Sequence, residues 1–254
     1  MILRAVQHEI NLFFLALGYF SRIPMPSWVQ YSPENLNHAS RYFTLVGWFL
    51  GLCVGGIYYL SQQFFPANIS IWLCILCSLL LTGAFHEDGL ADTADGLGGG
   101  FTREKKLTIM KDSRIGTYGA CALVMALTGK FILLQELHNI ILSLCIAYAL
   151  SRTTAVSLLF SMKIASDPDT EKAKPMAQTQ SLTDKCVLLA TALPVLFLVE
   201  WKTLLLLAVI LICIRQIAKM YFNHHLNGVT GDCLGATQQV SELCIYLVLI
   251  GASQ

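Results

Sequence analysis

Apolar runs separated by polar segments of very unequal length narrow the folds open to this chain more than any other feature. The runs lie at 43–60, 68–85, 119–134, 139–160, 186–199, 203–214 and 240–252, and a further one at 9–21 either spans a bilayer or lies at its interface. Several fall short of the ~20 residues that a straight transmembrane helix needs, so they read as spans that continue into polar flanks or as broken helices around a site. The stretch 186–214 is the least regular, because Pro194 and Glu200-Trp201-Lys202 interrupt it, and a hairpin of two short helices would also account for it. Composition agrees with a lipid-facing surface. Hydrophobic residues make up 55% of the chain and charged residues only 13%, against about 25% charged in soluble domains. The expected fold is therefore all-α: a polytopic transmembrane helical bundle of about seven spans, forming one integral membrane catalytic domain over 1–254.

The net charge of +1 gives no polyelectrolyte signal and argues against a nucleic-acid partner. The nine cysteines are scattered, mostly inside apolar runs, and read as small packing residues. Cys74-x-x-Cys77 sits mid-run without the βαβ context of a redox motif. No cleavable signal peptide is evident.

Counting the seven runs as spans puts 22–42, 86–118, 161–185 and 215–239 on one side, with short links at 61–67, 135–138 and 200–202 on the other. Most of the 17 Lys and Arg residues fall in the first set, and the links hold only Lys202. The excess of basic residues places the long segments in the cytoplasm. Among them, the loop 163–185, with Asp167, Pro168 and Asp169, reads as a connector.

The chemistry concentrates in the loop 86–118. In FHEDGLADTADGLGGG (85–100), Asp88, Asp92 and Asp95 are spaced i, i+4, i+7, which on a helix stacks three carboxylates on one face. Such charges repel unless a cation lies between them. A hard ion with oxygen ligands is the natural partner, and Mg²⁺, which favours a few carboxylates plus substrate phosphate oxygens, suits the set better than zinc. His86 and Glu87 flank this face and are candidate bases. The run Gly96, Gly98, Gly99 and Gly100 either turns backbone N–H groups toward an anion or permits a tight turn, so Gly98 and Gly99 are candidate substrate contacts. In IMKDSRIGTYG (109–119), Lys111 and Arg114 can stabilise developing phosphoryl charge, Arg114 bidentately. Lys105 and Lys106 read as solubilising charges.

A second polar block, NHHLNGVTGDCLGATQQVSE (223–242), opens the last apolar run. Thr230 fits as a helix cap, and the helix start at Gly231 is a ready anion site. Asp232 there fits better as a metal ligand than as a bare charge, and Glu242 is an acid at membrane depth. Arg152, inside the run 139–160, must face the bundle interior and pair with a phosphate or an aspartate. Arg22 and Arg41 read as headgroup contacts, and His224 and His225 as interfacial side chains.

These blocks, with SRIPMP (21–26), YFTLVG (42–47), MKDSRIGTYG (110–119), Ser151-Arg152 and GVTGDCLGATQQVSE (228–242), resemble the cobalamin (5′-phosphate) synthases, also called adenosylcobinamide-GDP ribazoletransferases, along nearly the whole chain in order. The resemblance implies a Mg²⁺-dependent enzyme of the inner (cytoplasmic) membrane. It joins adenosylcobinamide-GDP to α-ribazole or its 5′-phosphate and releases GMP, late in cobalamin biosynthesis. Asp88, Asp92, Asp95 and Asp232 would hold the metal; Glu87, His86, Lys111 and Arg114 would be catalytic; Gly98, Gly99, Arg152, Thr230 and Gly231 would bind substrate. The lipid bilayer is the expected partner, with a homo-oligomer or contacts to other enzymes of the pathway admitted alongside. A CDP-alcohol phosphotransferase-like enzyme is the nearest rival, but Asp88-Gly89 is not followed by the D-G-x-x-A-R arginine. A UbiA-like transferase matches Asp88-x-x-x-Asp92 but not the glycine tract. A cation transporter would place its acids within spans rather than in a loop.

Overall fold

A computed structural model describes residues 2–165 and 180–252; the connector around Asp167, Pro168 and Asp169 lies outside them. Helix α1 (Ile2–Phe20) is followed by α2 (Pro33–Ala39), which Ser32 caps and which continues through a tight turn at Ser40–Tyr42 into α3 (Phe43–Ser61). Then come α4 (Ala67–Thr82), α5 (Phe85–Gly99), α6 (Arg103–Met110), α7 (Thr117–Gln135) and α8 (Ile140–Ser157). The short α9 (Leu182–Ala190) leads to α10 (Trp201–Leu226) and α11 (Gly231–Gly251). Among the described residues, five helices are long and apolar enough to cross a membrane, or six if the bent pair α4–α5 counts as one span. The multi-pass, all-helical expectation holds, and the count falls slightly below seven for an identifiable reason. The run 186–199 yields only α9 and a 3-10 turn at Leu193–Phe197, where Pro194 removes a backbone donor and stops a continuous helix.

Helix α8 is the central post: 89% of its apolar window is buried, against 11% for α10, which runs along the outside. Its closest neighbour is α3. Gly47, Gly51 and Gly55 form a small-residue seam on α3, and a Cβ at these positions would come within 2.4 Å of Tyr148 O, 2.7 Å of Cys145 Cα and 2.9 Å of Ile141 Cγ2. Lipid tails are as apolar as leucine, so membrane helices gain by close backbone approach rather than by hydrophobic transfer, and that approach requires small residues. Gly51→Ile would force the pair apart. We expect a loss of about 1–3 kcal/mol, read as a lowered thermal midpoint in detergent.

The second device is the elbow between α4 and α5. Gly83 and Ala84 both adopt left-handed backbone angles, with φ of 65° and 54°, and the two helices meet at 84°. Glycine takes this conformation without strain and ends α4 in the usual way. The freed carbonyl of Leu81 accepts the Arg22 N–H at 2.6 Å. The segment expected as a loop over 86–118 is thus mostly helical, through α5 and α6.

The long polar segments share one end of the bundle, as their sequence grouping implied. His38 Nδ1 meets Asp184 at 2.9 Å, Arg103 Nε donates to Leu226 O at 2.8 Å, and Ile164 pairs with Val229 in a parallel bridge. Two basic residues depart from their reading. Arg41 is buried rather than at headgroups, bonded to Glu9 at 2.8 Å and to Asp184 at 3.4 Å. Lys106 is also buried, with Nζ 3.0 Å from His225 Nδ1, so it joins α6 to α10 rather than coating a loop.

Candidate active site

The site forms where α5 lies along the first turns of α11. Their backbones nearly touch: a Cβ on Gly89 would stand 2.9 Å from Asp232 O, and one on Gly235 would stand 3.1 Å from His86 O. This contact sets Asp92 beside the start of α11, and Asp88, Asp232 and Asp95 all act on its charge. The two polar blocks, 140 residues apart along the chain by the numbering of Asp92 and Asp232, therefore close into one carboxylate cleft.

The four aspartates are not equivalent. Asp88 is exposed, Asp92 and Asp232 are half-buried, and Asp95 is buried. Asp95 accepts the Gly116 N–H at 2.7 Å and the Gly119 N–H at 2.8 Å. It thereby fixes the turn into α7, leaving only its remaining lone pairs for a cation. Thr230 caps α11 by accepting the Cys233 N–H at 3.2 Å, as anticipated, with Gly231 at the helix start. Among the described residues, no three His, Cys, Asp or Glu side chains form a group that could hold a metal ion alone. The cleft's donor chemistry nevertheless fits Mg²⁺, which commonly binds through one or two carboxylates and takes its other ligands from water and substrate phosphates.

The glycine tract does a different job from the anion cradle considered for it. Gly98 and Gly99 lie in the last turn of α5, not in a loop of converging N–H groups. A Cβ on Gly98 would strike the Tyr118 ring at 2.7 Å, so this glycine admits α7; the space at Gly99 is looser, with Ile109 Cδ1 at 3.6 Å. Arg114 is also placed differently. Its guanidinium grips Asp112, with Nη2 2.7 Å from Oδ2, and stays largely in solvent. Side-chain hydrogen bonds from Arg114 hold the Asp112 carboxyl down at about 2, which makes Asp112 a poor proton acceptor near neutral pH. Lys111 ends α6 on the exposed surface.

His86 and Glu87 are both buried at the start of α5 but face different neighbours. His86 lines a pocket with Phe20, Phe43, Phe85, Arg152 and Gly235. Arg152 donates from Nη1 to Tyr148 O at 3.0 Å and lies over the Tyr148 ring at 4.9 Å. Its Nε finds no hydrogen-bond partner among the described residues. Glu87 points into the bundle, where Oε1 accepts from Gln239 Nε2 at 3.0 Å and lies 3.6 Å from Lys130 Nζ. Sequence reasoning passed over Lys130, Gln238 and Gln239. The lysine carried a usable signal, since a charge within the run 119–134 is costly unless paired.

Comparison with known proteins assigns the chain a family. The family model described as Cobalamin-5-phosphate synthase matches residues 12–250. A relative from Vibrio cholerae serotype O1 named adenosylcobinamide-GDP ribazoletransferase is 48% identical over 252 residues, covering 98% of this chain and 97% of the relative. One of the same name from Shewanella woodyi is 47% identical, covering 99% of this chain and all of the relative. A third, from Vibrio parahaemolyticus serotype O3:K6, is 48% identical over 98% of this chain and 95% of its own length. No solved structure matches the chain.

Proposed function

The chain belongs to the cobalamin-5-phosphate synthase family, and from that premise we propose that it is a membrane transferase joining adenosylcobinamide-GDP to α-ribazole or its 5′-phosphate. The products are GMP and adenosylcobalamin or its 5′-phosphate. One observation supports the location of the chemistry: Gly89 of α5 packs against the Asp232 backbone at the N-terminus of α11, which brings Asp92 within electrostatic reach of Asp88, Asp95 and Asp232. That juxtaposition provides oxygen ligands and a helix start at one place, as a diphosphate substrate requires.

In the reaction, a ribazole hydroxyl oxygen forms a new bond to the phosphorus on the cobinamide arm. The bond from that phosphorus to the oxygen bridging to GMP breaks, and the hydroxyl proton leaves to a base. One or two of Asp88, Asp92 and Asp232 would hold Mg²⁺, with water and substrate phosphate oxygens as its other ligands and Asp95 bracing the face from behind; when bound, the ion would offset charge on the diphosphate and on the leaving GMP. His86 is better placed than Glu87 to take the proton, because it borders the pocket that Arg152 enters. Arg152, with its unused Nε–H, and the capped N-terminus at Thr230 and Gly231 are suited to phosphate oxygens. Lys111 and Arg114 lie on the exposed turn beside the cleft, where they can meet an incoming anionic substrate.

The positive charges of the gathered loops support a cytoplasm-facing site in an inner membrane, and the exposed apolar residues of α10 support lipid contact. The test is direct. Protein in nanodiscs with adenosylcobinamide-GDP and α-ribazole should yield GMP and a cobalamin when Mg²⁺ is present, and neither after chelation. A folded sample that converts CDP-alcohols instead would favour the rival family. Chelator-resistant turnover would remove the metal from the scheme.

A further inference from the structure

Behind the aspartate cleft lies a second set of charges. Glu87 of α5, Lys130 of α7, Arg152 of α8 and Glu242 of α11 are 4%, 2%, 2% and 1% exposed, one from each of four helices. Lys130 Nζ stands 3.0 Å from Glu242 Oε1 and 3.6 Å from Glu87 Oε1. Arg152 bonds to Tyr148 O at 3.0 Å rather than to either acid, but lies within electrostatic reach of both, so Lys130 is the cation in direct contact and Arg152 the second charge of the set. Neutral groups add to the set, although Glu87 Oε2 and Gln239 Oε1 find no hydrogen-bond partner among the described residues. Tyr246 donates to Glu242 Oε1 at 3.0 Å, Gln238 to Glu242 Oε2 at 2.8 Å, and Gln239 to Glu87 Oε1 at 3.0 Å.

Buried ion pairs are poor sources of net stability, since an apolar replacement of the same volume usually does as well. Their best-attested use is to specify one arrangement of elements. The element specified here is α5. Its Glu87 is adjacent to Asp88, and successive helix residues are turned by about 100°. Fixing Glu87 toward α7 and α11 therefore fixes where Asp88 and Asp92 point.

We propose that Lys130 is a positioning residue that, through Glu87 and Glu242, sets the rotation of α5 and so holds Asp88 and Asp92 toward Asp232. The proposal rests on reading that cleft as the metal and phosphate site. It predicts that stability and positioning separate. Lys130→Met leaves two buried carboxylates facing one arginine, and should lower both the thermal midpoint and the affinity for Mn²⁺, the latter about tenfold. Adding Glu242→Gln restores charge balance but leaves Glu87 with Arg152 as its only buried counter-charge, so the midpoint should recover while the Mn²⁺ affinity stays low.

Three measurements on the full chain decide it: thermal unfolding, Mn²⁺ binding by electron paramagnetic resonance without substrate, and the distance between spin labels at positions 101 and 240 in a cysteine-free background. Phe101, just past α5, and Val240 of α11 are both exposed. A shifted label distance in the double variant at a recovered midpoint is the expected result. A label distance equal to that of the unsubstituted protein in both variants overturns the proposal, as does Mn²⁺ affinity that recovers together with the midpoint. If the unsubstituted protein binds no Mn²⁺ while the label distance still shifts, the metal reading fails and the positioning role stands.

Discussion

Asp92→Asn is expected to reduce turnover by on the order of 10³, the scale seen when one preorganised electrostatic contact to a transition state is removed, while the protein folds normally. Asp92 is the aspartate on which the other three act together. Asparagine keeps its shape and removes its charge. Like charges in a half-buried cleft repel, so the substitution relieves strain in the metal-free protein, and the thermal midpoint should hold or rise. Measured together, GMP release and thermal unfolding separate loss of chemistry from loss of fold. Full activity at an unchanged midpoint would remove Asp92 from the site.

The largest expected effect on stability belongs to Asp184. Its side chain is fully buried and receives His38 at 2.9 Å and Arg41 at 3.4 Å. It also forms a capping box with Ser181 at the start of α9. Asp184→Ala would leave Arg41 with Glu9 as its remaining ion-pair partner, free the Ser181 N–H that the carboxylate accepts in the capping box, and release His38. Breaking a buried pair by removing one partner costs about 3–5 kcal/mol, to be read from denaturant or thermal unfolding in micelles. The pH dependence has a definite sign. Burial pushes the Asp184 carboxyl up, but hydrogen bonds from Ser181 and His38 outweigh it, and the net shift is downward from 3.8. A depressed carboxylate contributes stability that is complete above its unfolded value and is lost as pH falls through its folded value. Acidification below about pH 4 should therefore destabilise the unsubstituted protein more steeply than Asp184→Ala.

Much of this was legible in the residues. The i, i+4, i+7 spacing of Asp88, Asp92 and Asp95 was read as one helical face, and α5 is a helix. Asp232 was paired with that face from its position at the opening of the last helix, and packing delivers it there. What spacing alone could not show is how far each residue sits from water. Asp95 differs from Asp88 in what Gly116 and Gly119 donate to it, and those donors come from another helix. The glycine tract was ambiguous for the same reason: Gly98 is small because Tyr118 lies against it, a fact of tertiary packing rather than of local sequence. Lys130 was obscured because Glu242 is more than a hundred positions away, and Arg41 because one of its two acids, Asp184, is equally remote and the other, Glu9, lies on a separate helix. The run 186–199 misled because its apolar character was real, while Pro194 and its neighbours divided it into pieces too short to cross.

The elbow at Gly83 and Ala84 has a bearing on how polar substrates reach a membrane enzyme. With 16 residues, α4 is about 24 Å long, less than the ~30 Å hydrocarbon thickness of a typical bilayer. Mismatch of this kind is relieved by local thinning of the bilayer or by protein covering the shortfall, and here the first turn of α5, with His86 and Glu87 enclosed by neighbouring helices, provides the cover. The acidic face thus begins at the exposed Asp88, one residue beyond a turn enclosed in protein. On the proposed reading that this face takes a diphosphate, the enclosed turn gives a water-borne substrate a protein-lined approach to Asp88.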